Sequence, residues 1–276
     1  MSPPPVHRRQ PTPPPTERRA VTRRRGGMLW NALLMALRAS TRRIRDVRAA
    51  VGVFVLVGAT LAVVNTWLFA WVASRVRHGR TQAFDDAVLR YVGAHRVPLL
   101  ENAMLEITFL GTGTVVLMIA FVAALFLWLT RHRYSAALLV AATVGAVVLN
   151  NVLKQFFDRP RPQIITWGTH ALTTSFPSGH AMSAAVVYTT IAYLAARLQQ
   201  RHRARVVTMS LAALLVLLVS ASRVYLGVHY PSDVLAGTVV GLAWAGFCMA
   251  TLEAVQLWAR RNAPQVLEDE AEPEHD

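Results

Sequence analysis

Between about Val51 and Trp258 the chain carries several runs close to the ~20 apolar residues that a helix needs to cross the ~30 Å hydrocarbon core of a bilayer. Six spans can be drawn: Val51 to Trp71, Leu110 to Leu129, Ser135 to Phe156, His180 to Leu198, Val206 to Ala221 and Asp233 to Trp258. The fold this implies is an all-α, polytopic membrane bundle of six transmembrane helices. No internal repeat is evident, which argues against the inverted-repeat architecture common among transporters.

Charge is sparse, at 16% of residues, yet the formal net charge is +14, so basic and apolar residues are segregated along the chain. Residues 1–50 hold arginine runs such as Arg8-Arg9, Arg18-Arg19, Arg23 to Arg25 and Arg42-Arg43 between proline-rich stretches, and cannot form a core. Such a segment can attract anionic lipid head groups or nucleic acid; the simpler reading is a cytoplasmic tail that fixes topology, with no nucleic-acid partner. Met28 to Leu37 resembles a signal-peptide core, but the arginines that follow it fit an interfacial helix better.

Arg131 to Arg133, Arg201 to Arg205 and Arg260-Arg261 all fall on the side of that tail, which the positive-inside rule assigns to the cytoplasm. Both termini are then cytoplasmic in the plasma membrane, including the acidic tail of residues 259–276. The opposite side receives Ala73 to Phe109, partly amphipathic around Phe84 to Leu100 as if lying on the outer surface, together with Phe157 to Gly179 and Ser222 to Ser232. The single cysteine, Cys248, cannot form an intramolecular disulfide and reads as packing.

Three clusters at this outer boundary carry chemistry, because ionisable groups there are costly and usually functional. They are Lys154-Gln-Phe-Phe-Asp-Arg-Pro-Arg161-Pro162, Ser175-Phe-Pro177-Ser178-Gly179-His180, and Ser222-Arg223 followed by His229 and Asp233. Lys154, Arg161 and Arg223 supply point charge and planar forks suited to a doubly charged phosphate. All other members of the 29 basic residues are arginine, so the one lysine stands out from the composition. A lysine snorkelling from a helix end would be its ordinary explanation if it stood alone.

Ser178, Gly179 and His180 open the fourth span, where free N–H groups and the helix dipole favour an anion. Taken singly, Pro-Ser-Gly is also a common turn. Two histidines suit a two-step transfer in which one attacks phosphorus and the other protonates the departing oxygen. Asp233, four residues after His229, can accept from one ring nitrogen and leave the other free. His78, His95, His132, His170 and His202 read as surface or hydrogen-bonded residues.

The pattern Lys-x6-Arg-Pro, Pro-Ser-Gly-His, Ser-Arg-x5-His-x3-Asp resembles the signature of the type 2 phosphatidic acid phosphatase superfamily, met here at all eleven defining positions from Lys154 to Asp233. The resemblance covers residues 51–258 and leaves both tails outside. It implies that Lys154, Arg161, Ser178, Gly179 and Arg223 bind phosphate, that His229 becomes phosphorylated with Asp233 assisting, and that His180 protonates the leaving group. It implies no metal and no cofactor.

A soluble vanadium haloperoxidase of the same superfamily would have no need of six apolar spans. A phosphotransferase using the same site, and a non-catalytic lipid-binding protein, remain as rivals. The expected activity is hydrolysis of a terminal lipid phosphate or diphosphate on the extracytoplasmic side, with membrane lipids as surroundings. Polyprenyl diphosphate, phosphatidic acid and similar lipids stay open as substrates, as does oligomeric state.

Overall fold

A computed structural model describes residues 47–169 and 173–262. Eight helices make up the regular structure of these residues: α1 (Val47–Arg77), α2 (Gln82–Ala94), α3 (Pro98–Phe109), α4 (Gly113–Leu129), α5 (Arg133–Phe157), α6 (Gly179–Leu198), α7 (His202–Tyr225) and α8 (Pro231–Asn262). Five of them are long and apolar enough to cross a membrane, and α3 with α4, bent by 47° at their junction, completes a sixth. In hydrocarbon each span must satisfy its own backbone, which is why only helices appear here. The interfacial helix expected at Met28 to Leu37, the acidic tail and His170 lie outside the described residues.

The second span differs from the sequence expectation. It does not run unbroken from Leu110; α4 starts at Gly113, and the chain bends through Leu110-Gly111-Thr112. Two glycines within three residues weaken the helix there, and the Tyr188 hydroxyl donates to the freed carbonyl of Leu110 at 2.5 Å. The amphipathic stretch around Phe84 to Leu100 is two helices, parted at His95 to Val97 because the residue before Pro98 is pushed out of the helical region. The span drawn to Ala221 continues to Tyr225, so Arg223 sits in the last turn of α7 and not in a loop.

The core centres on α6, whose Ala181, Met182, Ala184, Ala185 and Val186 are fully buried, and which packs chiefly on α7 and α8. Glycines allow the α6–α8 approach: a Cβ on Gly237 would lie 2.4 Å from the Ser178 carbonyl oxygen, and one on Gly241 2.8 Å from that of Met182. With little hydrophobic drive between helices in lipid, such small-residue contacts let backbones close on one another. Exposed Leu117, Phe121, Val122 and Phe126 on α4 form the kind of surface that lipid chains cover. The outward ends of α5 and α7 and the starts of α6 and α8 gather the three polar clusters at one end of the bundle.

Candidate active site

α5 stops at Phe157 because Asp158 turns left-handed, at φ 39°, with its N–H returned to the Lys154 carbonyl at 3.1 Å. Pro160 and Pro162 then hold the next residues extended, so Arg159 and Arg161 leave the segment in different directions. Arg161 turns towards a cavity of ≈ 440 Å³ whose lining includes Lys154, Gly179, His180, Arg223 and His229. Six of the eight residues singled out from the sequence are thus accounted for by this cavity and its Arg161 wall. Ser178 lies fully buried immediately before α6, and Asp233 lies behind His229.

His229 is 1% exposed. Its Nε2 is 3.2 Å from a terminal nitrogen of Arg161. A guanidinium only donates, so this nitrogen is the imidazole acceptor and the ring proton resides on Nδ1. On the Nδ1 side stand the Ser175 hydroxyl at 3.4 Å and the Asp233 Oδ2 at 3.7 Å, the latter an electrostatic contact longer than a hydrogen bond. Burial drives the His229 pKa down to about 4; Asp233 opposes this, and Arg161 and Arg223 reinforce it. The ring is therefore neutral at physiological pH, with its lone pair facing the cavity.

Asp233 is fully buried and held from three sides. Its Oδ2 accepts from the Ser175 hydroxyl at 2.5 Å and from the Tyr230 N–H at 3.0 Å, while Oδ1 accepts from Arg159 at 2.5 Å. Arg159 also donates at 2.9 Å to Asp85 of α2, a carboxylate with 0% exposure. Asp85 in turn accepts from the N–H and hydroxyl of Ser232 at 3.0 and 2.5 Å. Burial works against the Arg159 charge, but the two carboxylates outweigh it and raise its pKa.

Several polar atoms at the cavity have no partner within the described protein. The Ser178 hydroxyl and the Arg223 Nε are buried without a hydrogen bond. Ser178 precedes α6 without capping it, so the first N–H groups of that helix are uncommitted. Lys154 and Arg161 meanwhile rest on carbonyls, at 2.5 Å from that of Thr174 and 2.6 Å from that of Thr173. Buried donors are rarely left unpaired, and donors of this kind converging from three elements describe an anion site.

A family model, the PAP2 superfamily, matches residues 135–256. Phosphatidylglycerophosphatase B of Bacillus subtilis is 33% identical over 175 residues, which are 63% of this chain and 86% of that protein. The chain belongs to the PAP2 superfamily. An undecaprenyl-diphosphatase of Sulfolobus acidocaldarius is 28% identical over 176 residues, covering 62% of this chain and 79% of that one. The crystal structure of a transmembrane PAP2-type phosphatidylglycerolphosphate phosphatase from Bacillus subtilis superposes with a TM-score of 0.66 at 30% identity, over 73% of this chain and 98% of that one.

Sequence reasoning passed over part of this PAP2 site. The sequence clusters contain Arg159 and Ser175 without pointing to a role for either, and Asp85 lies outside all three clusters. A signal for Asp85 existed: a carboxylate placed where an amphipathic helix turns its apolar side inward, in Phe84-Asp85-Asp86-Ala-Val, asks for a buried cation. Of the histidines read as surface or hydrogen-bonded, His78 and His95 bond the carbonyls of Ser74 and Tyr91 in the helices they directly follow, and His132 contacts Thr130, all away from the cavity.

Proposed function

We propose that this chain is a multi-pass membrane lipid phosphatase that releases the terminal phosphate of a lipid phosphate or diphosphate through a phosphohistidine at His229. The observation that carries the reading is the His229 ring, neutral, with its Nε2 lone pair at the cavity beside Arg161 and its Nδ1 backed by Ser175 and Asp233.

Lys154, Arg161 and Arg223, with the Ser178 hydroxyl and the Gly179–His180 amides at the start of α6, bind the phosphoryl oxygens. Arriving phosphate takes the Arg161 donor from Nε2 and frees that lone pair. Nε2 then attacks phosphorus as the bond to the leaving oxygen breaks, and His180 gives that oxygen a proton. The imidazolium that forms on His229 is met by the Asp233 carboxylate. In the second step water attacks phosphorus, the N–P bond breaks back to His229, and His180 takes the proton from water. Holding charge donors in place before the phosphoryl group arrives accounts for most of the stabilisation in such transfers.

The basic clusters at Arg131 to Arg133 and Arg201 to Arg205 stand at the other end of the spans from the cavity. By the positive-inside rule this arrangement supports a site on the extracytoplasmic face of the plasma membrane with both termini in the cytoplasm. Residues 51–258 then form the catalytic domain between a basic and an acidic tail. The chain needs no metal or other cofactor and no nucleic acid.

The test is phosphate release by the purified chain in detergent with EDTA, from a panel of lipid phosphates and diphosphates, for wild type and His229→Ala. The expectation is release that survives EDTA and falls by a thousandfold or more in the variant, with 32P trapped as acid-labile, base-stable phosphohistidine only in wild type. Activity abolished by EDTA, or retained by His229→Ala, would overturn the mechanism.

A further inference from the structure

A second opening lies on another face of α5, away from the His229 cavity. It is an apolar groove of ≈ 740 Å³ lined by Ala62, Thr66 and Ala70 from α1, Leu149 and Leu153 from α5, and Trp244 from α8. A smaller opening of ≈ 340 Å³ shares Phe69 and Ala70 with it and continues to Ser74, Arg77 and Phe156. Together they follow α1 from Ala62 to Arg77, roughly 22 Å at about 1.5 Å per residue, which exceeds the ~15 Å that one leaflet contributes to the hydrocarbon core. α1 is held to the bundle by Gly58 against Gly246 and Ala250, and by Val72 and Ala73 against Phe176 and Ala236. The larger opening is the space left between these two holds.

Its mouth is basic at the end of the bundle where basic residues are disfavoured. Arg75, Arg77 and Arg80 stand at the same end as His229, and on the topology proposed above the positive-inside rule acts against charge there. Of the five arginines between Ala73 and Phe109, Arg90 pairs with Asp86 and Arg96 donates to the carbonyls of Thr166 and Tyr225. Arg75 covers the ring of Trp71 at 4.3 Å. Arg77 lines the outer opening 5.7 Å from the Phe156 ring centroid, and no carboxylate among the described residues pairs with it. Nor is it needed to cap α1: the last carbonyls, those of Ser74, Arg75 and Val76, already accept from the backbone N–H groups of His78, Arg80 and Gly79.

We propose that this groove is a binding site for an anionic phosphodiester lipid, with one acyl chain lying between α1 and α5 and the head group at Arg77 and the Ser74 hydroxyl. The chemistry matches at both ends. An apolar channel of leaflet depth takes a chain, and a guanidinium held only by an aromatic ring presents its fork to phosphate oxygens. Basic side chains beside a span attract anionic head groups for the same reason. The groove shares no lining residue with the His229 cavity: on α5, Leu149 and Leu153 line the one, Asn150 and Lys154 the other. The lipid held here is therefore a companion of the fold and not the molecule that is hydrolysed. It ties α1 to α5 where the two helices do not otherwise close.

The experiment adds dioleoyl phosphatidylserine or dioleoyl phosphatidylcholine, at equal concentrations, to the purified full-length chain in detergent; neither lipid carries a terminal phosphate. Thermal midpoint and native mass spectrometry are read, and neither depends on phosphate release, so failure of the phosphatase reading leaves the test intact. A ligand held by the folded state alone raises the midpoint, here by about 4 °C or more for phosphatidylserine and by less than about 1 °C for phosphatidylcholine. Arg77→Gln should reduce the first shift to the second, whereas Arg90→Gln should not. Ala70→Phe fills the channel and should abolish the shift; Thr66→Leu, a smaller filling, keeps that arm readable should Ala70→Phe fail to fold. Equal shifts from the two lipids in wild type overturn the proposal, since only a general lipid annulus would then act. Selectivity that survives Arg77→Gln overturns the head-group site, and selectivity that survives both fillings overturns the groove. A second copy of the chain retained in place of lipid, as a dimer mass that phosphatidylserine does not dissociate, overturns it as well.

Discussion

Replacing Arg159 with methionine tests the part of the site that the sequence left unassigned. The guanidinium stands 2.9 Å from one fully buried carboxylate, Asp85, and 2.5 Å from another, Asp233, while its own side chain is only 10% exposed. At an effective dielectric near 20, each contact is worth about 6 kcal/mol of Coulomb energy. Much of that is offset by taking three charges out of water, and breaking a buried pair by removing one partner costs on the order of 3–5 kcal/mol net. Arg159→Met should therefore lower the thermal midpoint in detergent by roughly 10 °C.

Asp85→Asn alone keeps an acceptor for the Ser232 N–H and removes only one of the two ion pairs, so its cost is smaller. The double variant should be less damaging than the sum of the singles, by about 1 kcal/mol or more, because each single leaves a buried charge that the other removal relieves. The neighbouring pair Arg90–Asp86 is an internal control: at 3.5 Å, with Arg90 67% exposed, Asp86→Asn should shift stability by less than about 1 kcal/mol. A cost for Arg159→Met no larger than that of Asp86→Asn, or strict additivity of Arg159→Met and Asp85→Asn, would refute the coupled network.

His229 has a folded-state pKa of about 4 against an ordinary 6.5, so between those values the unfolded chain binds the extra proton. Stability from this group is complete above pH ~6.5 and is lost as pH falls towards 4, by about 3 kcal/mol in all; His229→Gln should flatten that part of a midpoint-against-pH curve. His180→Ala should cost about a hundredfold to ten-thousandfold in kcat/KM, which reports the first step alone, on an alkyl phosphate, whose departing oxygen needs a proton, and much less on p-nitrophenyl phosphate, whose phenolate leaves unaided; equal losses in kcat/KM on both would rule out the acid role. Gly237→Ala sets a Cβ 2.4 Å from the Ser178 carbonyl oxygen, which is backbone and cannot swing aside. It should destabilise by about 1–3 kcal/mol and lower phosphate release, and an unchanged midpoint would show the α6–α8 contact to be slack.

The spans were legible because apolar runs of membrane length have few alternatives, and the polar clusters because charge at a bilayer boundary is conspicuous. What escaped notice has local causes that a linear reading weighs poorly. The bend before α4 depends on Gly111 and Gly113 together with a hydroxyl from Tyr188, a residue of another helix. A charge normally ends an apolar run, which points to a loop at Arg223; here α7 carries it into the protein, where Thr108 of α3 accepts from it at 2.7 Å. Asp85 is separated from Ser232 by 147 positions; its own helix asks for a cation but does not say where along the chain the partners lie.

The Arg-Pro-Arg-Pro segment shows how a short sequence can serve two sides of one site. Proline fixes φ at Pro160 and Pro162, and the extended chain between them gives Arg159 and Arg161 separate directions. Arg161 meets the Nε2 of His229 at 3.2 Å, while Arg159 reaches the carboxylate behind the same ring. In the proposed mechanism His229 is thus flanked by two guanidiniums with opposite effects: one withdraws when phosphate arrives, and the other holds Asp233 whether or not it does. Lysine could replace neither role fully, since Arg159 must span Asp85, Ser232 and Asp233 at once and a single ammonium lacks the fork to do so. Lys154 needs no such fork in the proposed mechanism, where a point charge meets one phosphate oxygen while Arg161 and Arg223 present their forks to the others.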